Sequence, residues 1–268
     1  MKTRSARDRF RLDDRVAIIT GAGKGIGAAI ADSLADAGAD CVLVARTAAD
    51  VESVAKAVRA HGRRALAIAG DVNDLDLLAS VVERTMSELG RLDIVVNNAG
   101  GSRSKRILRT RVDELEHSFH FNVSVPFELV RLAAPHMLAA GEGAVVNISS
   151  VAAKNAVRGN LAHGLTKAAL NALTRLMAAE LAPKIRVNAV LPGAIETDSL
   201  RGWLASMDPD VRATMIRNTP MRRNGEADDI ADAVLYLCSP ASSFVTGELL
   251  KVDGMAADDT IPGQIPDL

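Results

Sequence analysis

Aromatic residues are scarce in this sequence. Its 268 residues hold one tyrosine, Tyr236, one tryptophan, Trp203, and five phenylalanines, so any chemistry that needs a phenol has a single candidate. Tyr236 lies in ADAVLYLCSP, an apolar helical stretch where an aromatic ring is most simply core. Cysteine is rarer than in any disulfide-built domain: Cys41 falls in a predicted strand and Cys238 in a predicted helix, which argues against a disulfide framework and fits a reducing cytoplasm. No run reaches the ~18 apolar residues of a membrane span. The basic N-terminus MKTRSARDRFRLDD is followed by no apolar segment of secretory type. The 32 Lys and Arg against 33 Asp and Glu leave a net charge of −1, so net charge points to neither nucleic acid nor a membrane surface. What remains is the expectation of a cytoplasmic globular protein, with 48% apolar residues to build its core.

Short β-branched runs alternate with longer helical patterns. Strands are predicted at 16–20, 41–45, 65–69, 94–97, 144–149, 186–190 and 249–252. Each is nearly all apolar, as parallel strands covered on both faces are. Helices are predicted at 25–37, 49–61, 75–89, 111–140, 160–182 and 227–239. This alternation predicts an α/β fold, one Rossmann-type doubly wound domain of about seven parallel strands with helices on both faces. Residues 1–12 read as a solvated basic leader, 13–256 as the domain and 257–268 as a Pro-rich polar tail. Within the domain, 198–222 carries Trp203, Met207, Met215, Ile216, Pro220 and Met221 without a strand and reads as an apolar substrate lid at the carboxyl end of the sheet.

After the first strand comes TGAGKGIG, residues 20–27. Glycines there permit a tight strand-to-helix turn and let backbone N–H groups approach a pyrophosphate at the helix N-terminus. A dinucleotide site usually has an acidic residue about 20 residues on, holding a ribose 2′-hydroxyl. This second strand ends instead in Ala45 and Arg46. With no carboxylate to repel a 2′-phosphate, and Arg46 and Lys24 able to pair with one, NADP(H) is favoured over NAD(H). The alternative is that Arg46 is a solvated loop residue and either cofactor binds.

The chain thus resembles the classical short-chain dehydrogenase/reductase family over roughly residues 12–256. The resemblance rests on TGAGKGIG, DV at 71–72, NNAG at 97–100, FNV at 121–123, NISS at 147–150, LPGAIET at 191–197 and VTGELLKVDG at 245–254. It implies that Gly21, Gly25, Ile26 and Gly27 bind cofactor, that Asp71, Val72, Asn98 and Gly100 line the adenosine side, and that Ile195 and Thr197 hold the nicotinamide carboxamide. It also implies an oxidoreductase that interconverts a secondary alcohol and a ketone, assembled as a homodimer or homotetramer.

The family's catalytic set is Asn, Ser, Tyr and Lys. Asn122, Ser150 and Lys167 match three of these, and the Tyr position is His163. By resemblance Ser150 binds the substrate oxygen, Lys167 binds the nicotinamide ribose and Asn122 holds a water on the proton path. Imidazole can serve as acid and base near neutral pH, but bond counting stops Nε2 roughly 2 Å short of a phenol oxygen. Transfer then needs a shifted substrate or an inserted water. Three function readings stay open, the first two being an active oxidoreductase using His163 directly or through water, with impaired turnover, and a weak or inactive dinucleotide-binding protein acting through cofactor or partner. A third is an altered chain or a different reaction on the same scaffold.

His61, His117, His120 and His136 show no metal-ligand spacing, and His117 and His120 read as a solvated helix. The loop GSRSKRI, with Arg103, Lys105 and Arg106, reads as solvated, the alternative being contact with an anionic substrate. Trp203 and the methionines of 198–222 favour a small hydrophobic carbonyl or alcohol substrate. Met255 stands where the family often has glycine. The helix from Lys167 onward is small or apolar nearly all round, so its outer face is expected at a subunit contact.

Overall fold

Strands form where the apolar runs predict them: β1 Val16–Thr20, β2 Asp40–Ala45, β3 Ala65–Ala69, β4 Ile94–Asn97, β5 Gly143–Ile148, β6 Ile185–Pro192 and β7 Leu249–Val252. The computed structural model describes residues 5–205 and 210–256. The expected tail 257–268, the first four residues of the leader and Met207 lie outside the described residues, as do the side chains of Ser199 and Trp203. The sheet has seven strands in the order β3-β2-β1-β4-β5-β6-β7, and all neighbours are parallel.

Successive residues of each strand enter opposite layers, as the period of two requires. Ala17 and Ile19 share one apolar layer with Ile30 and Leu34 of α1 (Gly25–Asp36), Val51 of α2 (Ala48–Ala60) and Val234 of α9 (Ala227–Cys238). Val16 and Ile18 share the other with Leu78 of α3 (Leu75–Leu89), Leu129 of α5 (Val125–Ala140) and Met177 of α6 (Leu161–Leu181). Each fully buried Leu or Ile contributes on the order of 1.5–3 kcal/mol. The remaining helices are α4 (Val112–Phe119), α7 (Asp198–Leu204) and α8 (Asp210–Asn218). Among the described residues, no helix is long and apolar enough to cross a membrane.

One expectation is corrected, and one residue of the expected lid is placed differently. The single helix predicted at 111–140 is broken by a π-turn, His120–Ser124, between α4 and α5. Pro126 has no N–H to offer the carbonyl of Asn122, and the ladder shifts so that Val125 N–H bonds His120 O, one residue further back than in an α-helix. The lid segment is built from α7 and α8, and Met215 is fully buried. It anchors α8 rather than presenting an apolar surface to a substrate. The outer faces of α5 and α6 do expose Phe127, Leu138, Leu165 and Leu176, as the composition of the α6 sequence led one to expect.

Because the order reverses between β1 and β4, the crossovers on either side diverge and leave a crevice at the carboxyl ends of the strands. At the opposite end, the buried Asp93 accepts from Val16 N–H at 2.9 Å, from Arg15 at 3.0 Å and from Arg91 at 2.7 and 2.8 Å. Burial opposes its ionisation, but the bonds from Arg91, Val16 and Arg15 outweigh burial and hold the carboxyl below its ordinary value. Asp93→Ala leaves the Val16 N–H without its acceptor and is expected to cost about 2 kcal/mol, read as a lowered Tm at pH 7. A depressed value stabilises the fold above the unfolded pKa of ~3.9, and this contribution is lost as pH falls through the folded one. The gap between wild type and Asp93→Ala should therefore close in acid.

Candidate active site

The turn between β1 and α1 is shaped by contact with β4. A Cβ at Gly27 would lie 2.2 Å from Gly21 O and 2.6 Å from Asn98 Nδ2, so only glycine lets α1 begin this close to the strand ends. Asn98 Nδ2 donates to Thr20 O at 2.9 Å and Gly21 O at 3.1 Å, and Thr20 Oγ1 accepts from the N–H groups of Asn98 and Ala99, both at 3.1 Å. No side chain caps α1 at Lys24, and its first turn holds no acidic residue. Its leading N–H groups are thereby left for an anion.

Beside this turn runs a cleft of about 650 Å³. Gly21, Lys24, Gly25, Ile26, Gly27, Arg46, Asp71, Val72, Asn98, Gly100 and Thr197 all line it. Ile195 and Lys167 do not. The Ile195 side chain is buried in the α1 and α9 layer, and the residue pairs with Gly225 in an isolated bridge, which leaves its backbone for any cofactor contact. Lys24 already faces Asp50, Nζ to Oδ2 3.1 Å, whereas Arg46 is exposed and has no ion-pair partner among the described residues. Glycine turn, uncapped helix start and flanking cations fit a dinucleotide.

The cleft also has walls that the sequence reading missed. His117 is exposed but lines it together with Phe121, and their i, i+4 spacing was the available signal. Asp50 and Arg201 line it too. His120 instead turns to Asn73 O, 3.1 Å from its Nε2. Among the described residues, no group of three or more His, Cys, Asp or Glu side chains is placed to hold a metal.

The four expected catalytic residues converge on the carboxyl ends of β4 and β5. A Cβ at Gly100 would lie 2.8 Å from Lys167 Nζ and 2.9 Å from Asn122 Oδ1, so both side chains meet the same turn. Asn122 is fully buried; its Oδ1 accepts from Gly101 N–H at 2.8 Å, and its Nδ2 donates to Gly101 O at 3.0 Å and Ser118 O at 2.9 Å. Its amide therefore pins the turn after β4, and one Oδ1 lone pair is left for a water. Ser150 opens the short turn Val151–Ala153 with its Oγ accepting from Ala152 N–H at 3.1 Å. That turn abuts α6: a Cβ at Gly164 would lie 3.0 Å from Ala152 O, which seats His163 next to Ser150's loop.

Burial sets the charge state here. Lys167 is 4% exposed, its Nζ donates to Ile148 O at 2.8 Å, and burial pushes its pKa down to about 8. Burial, with repulsion from Lys167, pushes that of His163 down to about 4. The imidazole is therefore neutral at pH 7, opposite in state to an imidazolium acid. Its Nδ1 is buried without a hydrogen-bond partner. An unpaired lone pair is tolerated more readily than an unpaired N–H, so the ring carries its proton on Nε2.

Residues 21–254 match the family profile described as enoyl-(acyl carrier protein) reductase. An uncharacterized oxidoreductase of Mycobacterium tuberculosis is 45% identical over 262 residues, covering 97% of this chain and 99% of that protein. The 7alpha-hydroxysteroid dehydrogenase of Escherichia coli is 40% identical over 248 residues, covering 92% and 96%. A solved structure of 7alpha-hydroxysteroid dehydrogenase complexed with NADH and 7-oxo glycochenodeoxycholic acid superposes with a TM-score of 0.90 at 38% identity, covering 94% of this chain and 97% of that one. Sequence, fold order and site geometry agree, and the chain belongs to the classical short-chain dehydrogenase/reductase family of oxidoreductases.

Proposed function

We propose that the protein is an NADP(H)-preferring oxidoreductase interconverting a small hydrophobic secondary alcohol and its ketone, with His163 as a compromised proton donor and acceptor. The observation that carries this is the convergence of His163, Ser150, Lys167 and Asn122 beside a dinucleotide-shaped cleft. Gly21, Gly25, Ile26 and Gly27 with the start of α1 take the pyrophosphate, Asp71, Val72, Asn98 and Gly100 the adenosine side, and Thr197 with the Ile195 backbone the nicotinamide. When bound, the nicotinamide ring supplies or accepts the hydride.

The chain's own work is proton handling. Lys167 orients the nicotinamide ribose, and the Ser150 hydroxyl hydrogen-bonds the substrate oxygen, polarising it. For reduction, Nε2 of the imidazolium gives its proton to that oxygen, directly or through one water. For oxidation the ring accepts one at Nε2 only after shifting to its disfavoured Nδ1–H tautomer, and a conjugate acid of pKa about 4 makes it a feeble base as well. The relation to a dehydrogenase acting on a steroid supports an apolar substrate, closed over by the helices of 198–222. The exposed Phe127, Leu165 and Leu176 support a homodimer or homotetramer, and the two buried thiols support a cytoplasmic setting.

Reduction of a ketone by wild type should rise about tenfold per unit as pH falls from 8 toward 5, tracking the imidazolium fraction. His163→Tyr, with a longer side chain, should raise the rate at pH 7–8 by about 10- to 100-fold. Stopped-flow turnover at 340 nm reads both. No turnover in either protein, with tight cofactor binding, would leave only the dinucleotide-binding reading, which the depressed basicity of His163 favours.

Cofactor choice follows from the end of β2. Arg46→Ala should lower the ratio of NADPH to NADH affinity about tenfold in fluorescence titration, because one cation facing a 2′-phosphate is removed. An unchanged ratio would assign Arg46 to solvent.

A further inference from the structure

Charge is unevenly placed around His163. Residues 101–110 carry Arg103, Lys105, Arg106 and Arg109 and no carboxylate, and residues 150–163 carry Lys154 and Arg158 and none, in a chain whose net charge is −1. The two stretches are bound together at the site. Gly159 O accepts from Lys105 N–H at 2.8 Å and from the Ser104 hydroxyl at 3.1 Å, and the turn ending at Lys154 abuts α6 beside His163.

Several other surface arginines are neutralised, Arg59 with Glu52, Arg84 with Glu88, Arg131 with Glu128 and Arg223 with Asp229. Here Lys105 is matched by Glu114 at 2.6 Å. Arg103, Arg106, Arg109 and Lys154 are exposed and form no ion pair among the described residues. A separate feature has the same sign. The N-cap of the 21-residue α6, Asn160, makes no side-chain cap, and the first turn holds no acidic residue, so the positive end of the helix dipole opens beside the same loops. Cations without ion-pair partners on adjoining loops repel one another and raise the local concentration of anions. Ile107 and Leu108, 60% and 76% exposed, occupy the adjoining turn and offer apolar contact next to the charge.

We infer that the substrate is an apolar alcohol or ketone bearing a carboxylate, whose charged end is held by Arg103 and Lys154 while its reacting oxygen meets Ser150 and His163. This deepens the oxidoreductase reading above and rests on it for the identity of the reacting group. In this reading the charge selects the substrate. Complementary charge at an exposed rim acts chiefly on encounter and selection and weakens with salt.

The probes are 4-oxocyclohexanecarboxylate and a 3-oxosteroid carboxylate, each paired with its neutral primary amide. Binding is measured by calorimetry on the full chain with and without NADP⁺, where a ketone is not turned over, so the activity of His163 does not enter. Each carboxylate should bind about tenfold more tightly than its amide. The ratio should fall toward one in Arg103→Gln with Lys154→Gln and in 1 M NaCl, where the Debye length is about 3 Å. Equal affinity within both pairs, no carboxylate binding at millimolar concentration, or a ratio indifferent to the double substitution would overturn the assignment. Failure of NADP⁺ to bind, with the ratio intact, would instead strike the dehydrogenase reading and leave the anion site standing.

Discussion

Everything in the site is referred to one junction, the stitching of β1 to β4 by Thr20 and Asn98. Parallel neighbours at a reversal of strand order have no crossover helix to cover their carboxyl ends, and here the gap is held by the Asn98 amide reaching Thr20 O and Gly21 O. The same amide limits how close α1 can approach, since it stands 2.6 Å from where a Gly27 Cβ would be. The glycine turn and the turn after β4 thus meet at a single residue: Asn98 fixes the first, and two residues later Gly100 receives Lys167 and Asn122. A buried polar chain, Asn97 to Asn147 at 2.8 Å and Asn147 to Thr174 at 2.9 Å, ties β4 and β5 to α6 below the site and so keeps His163 and Lys167 in register with the strands.

Burial then decides what this scaffold can do. A lysine within a protein can keep its charge at neutral pH with its pKa depressed to about 8, but an imidazole beside it, depressed to about 4, cannot. The surroundings that suit a phenol, whose ionisation a neighbouring ammonium assists, work against imidazolium, whose formation the same ammonium opposes. The histidine is thus a poor fit to surroundings that otherwise keep the family's arrangement. The cations at the mouth act from the surface, outside this buried pair, and bear on which molecule arrives rather than on how it reacts.

Much of the fold was legible in the sequence because parallel strands covered on both faces are written as continuous apolar runs, and each of the seven appeared within two residues of its expected ends. The tight turn between β1 and α1 was legible because its glycines are required by close backbone approach. The π-turn at His120–Ser124 was not, although Pro126 stood in the middle of the predicted helix, because a proline there marks a disturbance without saying how the hydrogen-bond ladder re-forms around it. Ser118 and Gly101, which hold Asn122, carry no pattern of their own, since they are partners only through a contact that the tertiary fold creates. The burial of Met215 was hidden for the same reason: a methionine in a strandless segment has the same composition whether it lines a pocket or anchors a helix. The pairing of Lys24 with Asp50 lies between these cases, visible in retrospect as a carboxylate in the first turn of the helix after β2.

The central claim is that His163 stands in this site as a half-buried neutral imidazole with its proton on Nε2. ¹⁵N NMR of histidine-labelled protein, with His163 assigned by its absence in His163→Gln, measures this directly. The account predicts a neutral Nε2–H tautomer unchanged from pH 9 to 5.5 and titrating near 4. A His163 resonance titrating at about 6.5, the ordinary value for an exposed histidine, or one reporting imidazolium at pH 7, would contradict it.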